Sequence, residues 1–423
     1  MDKILIKSAT LVFPGHEKNG HIIDVLIENG IISNFGAEGS IDSEQAKHVD
    51  GRNQYLTPGF FDMNVNFGEP GLETKETIES GCLAAAAGGF TGVAVQPNTQ
   101  PALHSKVEIT TVVNTAKDNL VSVYPVGAIS RDRSGNDLAE LYDMKLAGAV
   151  AFSNGNKSIQ QAGLMSRALL YGKGFGGLIM SFAEDHSIAN DARMNEGEVS
   201  TYLGMKGNPN LAEELMISRD LSLAQYHHTS IHFSTISTKG SVALIREAKK
   251  KGLQVTCDVT AHHLVLTDDL VTDFDSHYKV SPPLRTAADI AALKEGLADG
   301  TIDAIVSQHT PHEIEYKKVE FEIAKNGIIG LQTTLHLLLQ AGLSADLIVE
   351  KLAINPRKIL NLPLPSMAVG AHANLVLFNP QENWTFDAST NKSKSANSPY
   401  YHKTLIGKVN VVANNKKVYS YIK

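Results

Sequence analysis

The adjacent histidines His262 and His263 have the residue type for metal binding, since imidazole is the commonest metal ligand among side chains. They follow the β-prone run Val255-Thr256-Cys257-Asp258-Val259, and neighbours on a strand point to opposite faces, so the pair is not expected to converge on one ion. A structural role is expected instead. His232, in His232-Phe233-Ser234-Thr235, stands alone; one imidazole cannot make a site of three or four ligands, so a hydrogen-bonded core histidine is expected there. Asp62 ends an apolar run and has the chemistry of a base, yet no second carboxylate is placed beside it, and it too is read as structural. His227 and His228, beside Tyr226, read as a polar helix end or loop, Lys317-Lys318 as a solvated face, and Asn154-Gly155 as a turn. Cys82 and Cys257 sit among apolar or β-prone residues and read as reduced, buried thiols rather than a disulfide or thiolate site.

Any chemistry these groups perform depends on the elements that hold them. The N-terminal segment reads as a β meander: Lys3 to Val12 alternates apolar and polar, Ile22 to Ile27 and Ile31 to Phe35 follow, and Glu28-Asn29-Gly30 turns between them. The C-terminal segment has the same character, with Ala373 to Phe378, Val409 to Ala413, a tight turn at Asn414-Asn415, and Lys417 to Tyr421. Two strand-rich ends around a different middle predict one β domain built from both termini. The middle alternates strand candidates, such as Gly92-Val93-Ala94-Val95, Gly148 to Phe152 and Ala304-Ile305-Val306, with helical runs such as Val242 to Lys251, stopped by Gly252. Repeated βα units in one stretch predict a closed parallel barrel, with chemistry at the C-terminal ends of its strands. The predicted fold is therefore α/β: a (β/α)8 TIM-type barrel over residues 56–365 with a small β-sandwich domain formed by residues 1–55 and 366–423.

At 423 residues the chain is long enough for this arrangement, and 43% hydrophobic and 20% charged residues make an ordinary globular balance. A net charge of −7 with no dense Lys/Arg run argues against nucleic-acid or anionic-membrane partners. The start, Met1-Asp2-Lys3-Ile4-Leu5-Ile6-Lys7, has too short an apolar run for a signal peptide, and no stretch has the roughly 18 apolar residues of a membrane span. A cytoplasmic location is expected.

The segment Pro58-Gly59-Phe60-Phe61-Asp62-Met63-Asn64-Val65-Asn66-Phe67-Gly68-Glu69-Pro70-Gly71 resembles the first-strand motif of dihydroorotases and their cyclic-amidohydrolase relatives. The resemblance continues in order through Gly88-Gly89-Phe90-Thr91, Pro97-Asn98-Thr99-Gln100-Pro101, Asn195-Glu196-Gly197, Ala261-His262-His263-Leu264, Pro282-Pro283-Leu284-Arg285 and His309-Thr310-Pro311-His312. It implies a divalent metal, usually zinc, that lowers the pKa of bound water from 15.7 to about 7 and polarises the carbonyl of a cyclic amide. The positions that would carry that chemistry are largely replaced. The His-x-His pair is Asn64 and Asn66; the aspartate-bearing segment after Phe-Ser reads Asn154-Gly155-Asn156; the histidine of His-x-Glu is Phe182; and the aspartate that would bind metal and serve as general base is Gln308. Carboxamides are poor ligands for zinc, phenylalanine is none, and an amide does not titrate near neutral pH. His232 is retained, as are Asn98 and His309 as polar contacts for a substrate, but the arginine that would clamp a carboxylate is Gly68 and the asparagine before Pro-Pro-Leu-Arg is Ser281.

These losses with an intact framework imply a pseudoenzyme, similar to the inactive dihydroorotase homologues that associate with aspartate transcarbamoylase in pyrimidine synthesis. Such a protein needs no cofactor, and a homo-oligomer is expected. One competing reading is an active, zinc-dependent dihydroorotase or related cyclic amidohydrolase whose metal is held by a rearranged set of side chains. Another is a metal-free hydrolase or small-molecule sensor using the same pocket.

Overall fold

The computed structural model describes residues 3–421; Met1 and Asp2 of the N-terminal reading, and Ile422 and Lys423, lie outside it. Eight strands, Phe60–Val65, Phe90–Val95, Ser122–Gly127, Ala151–Phe152, Met180–Phe182, Ile231–Ser234, Val255–Thr260 and Ala304–Val306, run parallel in sequence order. Bridges between Phe152 and Ile179 and between Val65 and His309 join the two halves and close the ring. This is the expected barrel. Its interior is filled by residues of several strands, among them Phe61, Met63, Ala94, Val126, Met180 and Val306, while the opposite faces of the same strands pack on the helices.

The helices start where the sequence supplies caps. Thr77 and Ser105 make capping boxes ahead of Ile78–Ala87 and Lys106–Thr115, and Thr238 caps Lys239–Lys250. Gly252, at φ +80°, ends the last of these as expected. His227 and His228 close the helix Asn210–His227.

Both termini contribute to one eight-stranded sheet. Lys3–Leu11 pairs with Ile22–Glu28 on one side and with Tyr55–Pro58 on the other, and Tyr55–Pro58 pairs in turn with the C-terminal strand Leu375–Phe386. The first hairpin turns at Asn29 and Gly30, both left-handed, as read from the sequence. The last turns at Asn415 and Lys416, one residue beyond the expected Asn414-Asn415. Asn414 instead stays in the ladder, its Nδ2 donating to the carbonyls of Thr91 and Leu120 and so tying the sheet to the barrel.

A second departure is Lys317. Expected on a solvated face, it is 2% exposed and donates Nζ to the carbonyls of Lys325 and Gly327 at 2.9 and 3.1 Å. The segment after the eighth strand folds over this ammonium, and burial pushes its pKa down to about 7. No helix among the described residues is long and apolar enough to cross a membrane.

Candidate functional site at the barrel mouth

The positions singled out in the sequence are divided among several separate environments, only one of them a cavity at the C-terminal end of the barrel. Asn64, Asn66, Asn98, Asn156, Phe182 and Gln308 line a small cavity of about 40 Å³, room for roughly a water molecule. Asn66 donates Nδ2 to the His309 carbonyl and to Thr310 Oγ1, both at 3.0 Å, and accepts through Oδ1 from Asn98 Nδ2. Gln308, at φ +50°, donates Nε2 to the Ser281 carbonyl at 2.8 Å. The ring of Phe182 is 5% exposed beside them.

His232 is elsewhere. Its strand register sets Phe182 opposite Ser234 and His232 opposite Met180, and its ring is fully buried. Nδ1 lies 2.8 Å from Thr256 Oγ1 and Nε2 lies 2.9 Å from Asp258 Oδ2, so both ring nitrogens are engaged. Asp258 uses its other oxygen to accept from Thr235 N. This partner was available in the sequence as the lone carboxylate of an apolar strand, though nothing in the strand pattern pairs it with residue 232.

Asn154 also turns from the cavity: its Oδ1 accepts from Ser130 N and its Nδ2 donates to Ser130 Oγ, within the loop it was expected to turn. His309 is 1% exposed and lines neither mouth cavity. Gly330 N donates to its Nδ1, leaving Nε2 to meet Glu76 Oε2 at 3.3 Å. Glu76 is a hub that sequence reasoning missed. It accepts from His309, Ser80, Ser393 and Lys394 N, linking the first βα loop to the C-terminal segment; burial raises its pKa, but those hydrogen bonds and the His309 charge outweigh it and hold the carboxyl below its ordinary value. His262 and His263 are buried, but they lie on the short 3-10 helix Ala261–Leu264 rather than on a strand, so their rings sit 4.7 Å apart instead of pointing to opposite faces; His263 bonds Thr260 Oγ1 and the Pro283 carbonyl. Cys82 and Cys257 are free and buried.

The donor set does not fit the metal that the resemblance implies. Among the described residues there is no group of three or more His, Cys, Asp or Glu side chains that could hold an ion. The carboxylate clamp is closed by backbone as well as by residue type. A Cβ at Gly68 would stand 2.0 Å from the Leu72 carbonyl oxygen, so an arginine there requires the loop to move. At Gly155, with φ +61°, a Cβ would meet Asn98 Oδ1 at 2.0 Å.

Asp62 is a buried titratable group on the first barrel strand, below the mouth. Burial raises its pKa to about 7, against the lowering effect of hydrogen bonds from Ser307 and from Asn64 N. Because the folded pKa lies above the unfolded value, the native state binds more protons between pH 4 and 7, and Asp62 costs stability progressively as pH rises through that window. Asp62→Asn should therefore gain stability relative to the parent on going from pH 4 to pH 7, as read by urea unfolding at both values. A constant difference would show that Asp62 ionises normally.

Comparison with known proteins fits this framework. The family model described as Dihydro-orotase-like matches residues 53–241. A protein named Dihydroorotase from Syntrophus aciditrophicus is 44% identical over 413 residues, covering 96% of each chain, and one of that name from Acetivibrio thermocellus is 42% identical over 412 residues, again 96% of each. The chain belongs to the dihydroorotase family. L-hydantoinase (dihydropyrimidinase) from Arthrobacter aurescens superposes with a TM-score of 0.84 over 99% of this chain and 96% of its own, at 23% identity, which shows the shared fold of the dihydroorotase barrel and its terminal β-sandwich.

Proposed function

We propose that this dihydroorotase-family barrel is catalytically silent and works in pyrimidine biosynthesis as a binding or scaffold partner, with aspartate transcarbamoylase the partner that the family resemblance suggests. The observation that carries this reading is His232. His232, the position that the resemblance matches to a family histidine, has both ring nitrogens taken up by Thr256 and Asp258, while the other five such positions present amides, or an aromatic ring, that cannot hold zinc or accept a proton. The side chains present do not fit the metal that hydrolysis in this family would need.

A second reading keeps the enzyme. Full-length relatives at 42–44% identity carry the name Dihydroorotase, and that degree of similarity favours a hydrolase that opens a cyclic amide. It requires a metal held by side chains other than the family set. Metal retention separates the two: after incubation with excess zinc and extensive dialysis, the silent barrel should keep only substoichiometric zinc, unchanged in His232→Ala. Stoichiometric zinc, whether or not it is lost in His232→Ala, would overturn the proposal.

A further inference from the structure

Next to the asparagine cluster the barrel mouth opens into a second cavity of about 380 Å³, within the size range of small-molecule sites. Four cations from separate loops line it, Lys75, Arg133, Lys157 and Lys325, and no aspartate or glutamate does. In a chain of net charge −7 that is a local reversal of sign. Like charges gathered around one space repel unless something of opposite charge sits between them. Two of the four are partly withdrawn from water: burial lowers the pKa of Lys75, with Lys325 acting the same way and Glu313 opposing, and burial alone pushes Arg133 down to about 10. Glu313 accepts from Thr74 Oγ1 through Oε1 and is not part of the wall.

Arg133 is held in place. Its Nε donates to the Asn154 carbonyl at 2.9 Å and its Nη2 to Asn156 Oδ1, on a backbone whose φ of +56° follows Asp132 at +51°. Left-handed conformations at two successive non-glycine residues are costly and need support from their surroundings. Two of its five N–H donors are engaged in this way, which leaves the Nη1 edge of the guanidinium for the oxygens of an anion.

We propose that this cavity binds a small phosphate-bearing anion. Three ammonium point charges and one edge of a guanidinium suit a charge-dense phosphate better than a planar carboxylate. Phe67, Leu72 and Pro311 form an apolar wall for the rest of the molecule. A phosphate held here would give the mouth of the silent barrel a ligand, and in that respect the site rests on the proposed function.

Isothermal titration of the full chain at fixed ionic strength tests it, with inorganic phosphate, pyrophosphate and succinate as probes. Saturable binding of phosphate or pyrophosphate is expected, tighter than that of succinate. The double variant Lys157→Ala/Lys325→Ala, at two exposed positions, should keep its melting temperature without ligand and bind about tenfold or more weakly. Lys106→Ala/Lys358→Ala, outside the cavity, should bind like the parent. No saturable binding, equal affinity in the first double variant, or tighter succinate binding would overturn the site. Binding is read without turnover, so this result and a hydrolysis assay can fail independently.

Discussion

Histidines introduced together at Asn64 and Asn66 should leave dihydroorotate turnover at background, even in zinc-supplemented buffer. The two new imidazoles would sit at the cavity, but a catalytic zinc needs three protein ligands and an open position, and the nearest retained histidine is committed to Thr256 and Asp258. Phe182 and Gln308 still occupy two further ligand positions, and Asn154 is turned to Ser130. Gln308 cannot take the proton of an attacking water, and loss of a general base alone is typically worth about 10²–10⁴-fold. These deficits act on one chemical step and need not add, but each is severe by itself. Steady-state hydrolysis of dihydroorotate by the double variant checks this; recovery to about 1 s⁻¹ would show that the remaining residues can complete a metal site.

Replacing Arg285 by leucine should cost about 3–5 kcal/mol of folding stability, because it breaks a buried charged network from one side. Arg285 is 1% exposed, donating Nη1 to Asn195 Oδ1 and the Asn208 carbonyl, each at 2.8 Å, and Nε to Ser237 Oγ at 3.0 Å. Its Nη2 lies 3.8 Å from Glu213, a buried carboxylate that Ser237 and Ser241 also contact. Burial raises the Glu213 pKa, and the arginine charge is the main opposing influence. Without it the carboxylate is left buried with hydroxyl and amide partners only, so the loss should be larger at pH 8 than at pH 5. Urea unfolding at the two pH values measures both. A cost below about 1 kcal/mol would mean that the network contributes little.

That network also explains why the sequence could be read as far as it was. Asn195 and Arg285 belong to two of the motifs that carry the resemblance, and the structure brings them together as packing partners. The retained His309 serves Glu76 and Gly330 rather than either mouth cavity. Glycine, proline and apolar periodicity are local signals, and they predicted the barrel and the sheet built from both ends. What the sequence did not disclose depends on contacts between distant residues. Asp258 meets His232 from a neighbouring strand, Lys317 is buried by a loop that folds back on it, and the four cations of the second cavity lie on loops up to 250 positions apart, Lys75 to Lys325. No run of the sequence is basic there, so the charge pattern became visible only once the barrel had closed.

The proposed loss of hydrolytic chemistry is tested most directly by steady-state hydrolysis of dihydroorotate by the unaltered chain with added zinc, beside His232→Ala. Turnover at background in both preparations is the expected result, since no group of three or more His, Cys, Asp or Glu side chains among the described residues could hold a water-activating metal. Turnover at about 1 s⁻¹ or more that disappears in His232→Ala would contradict it and make this dihydroorotase-family chain a working enzyme.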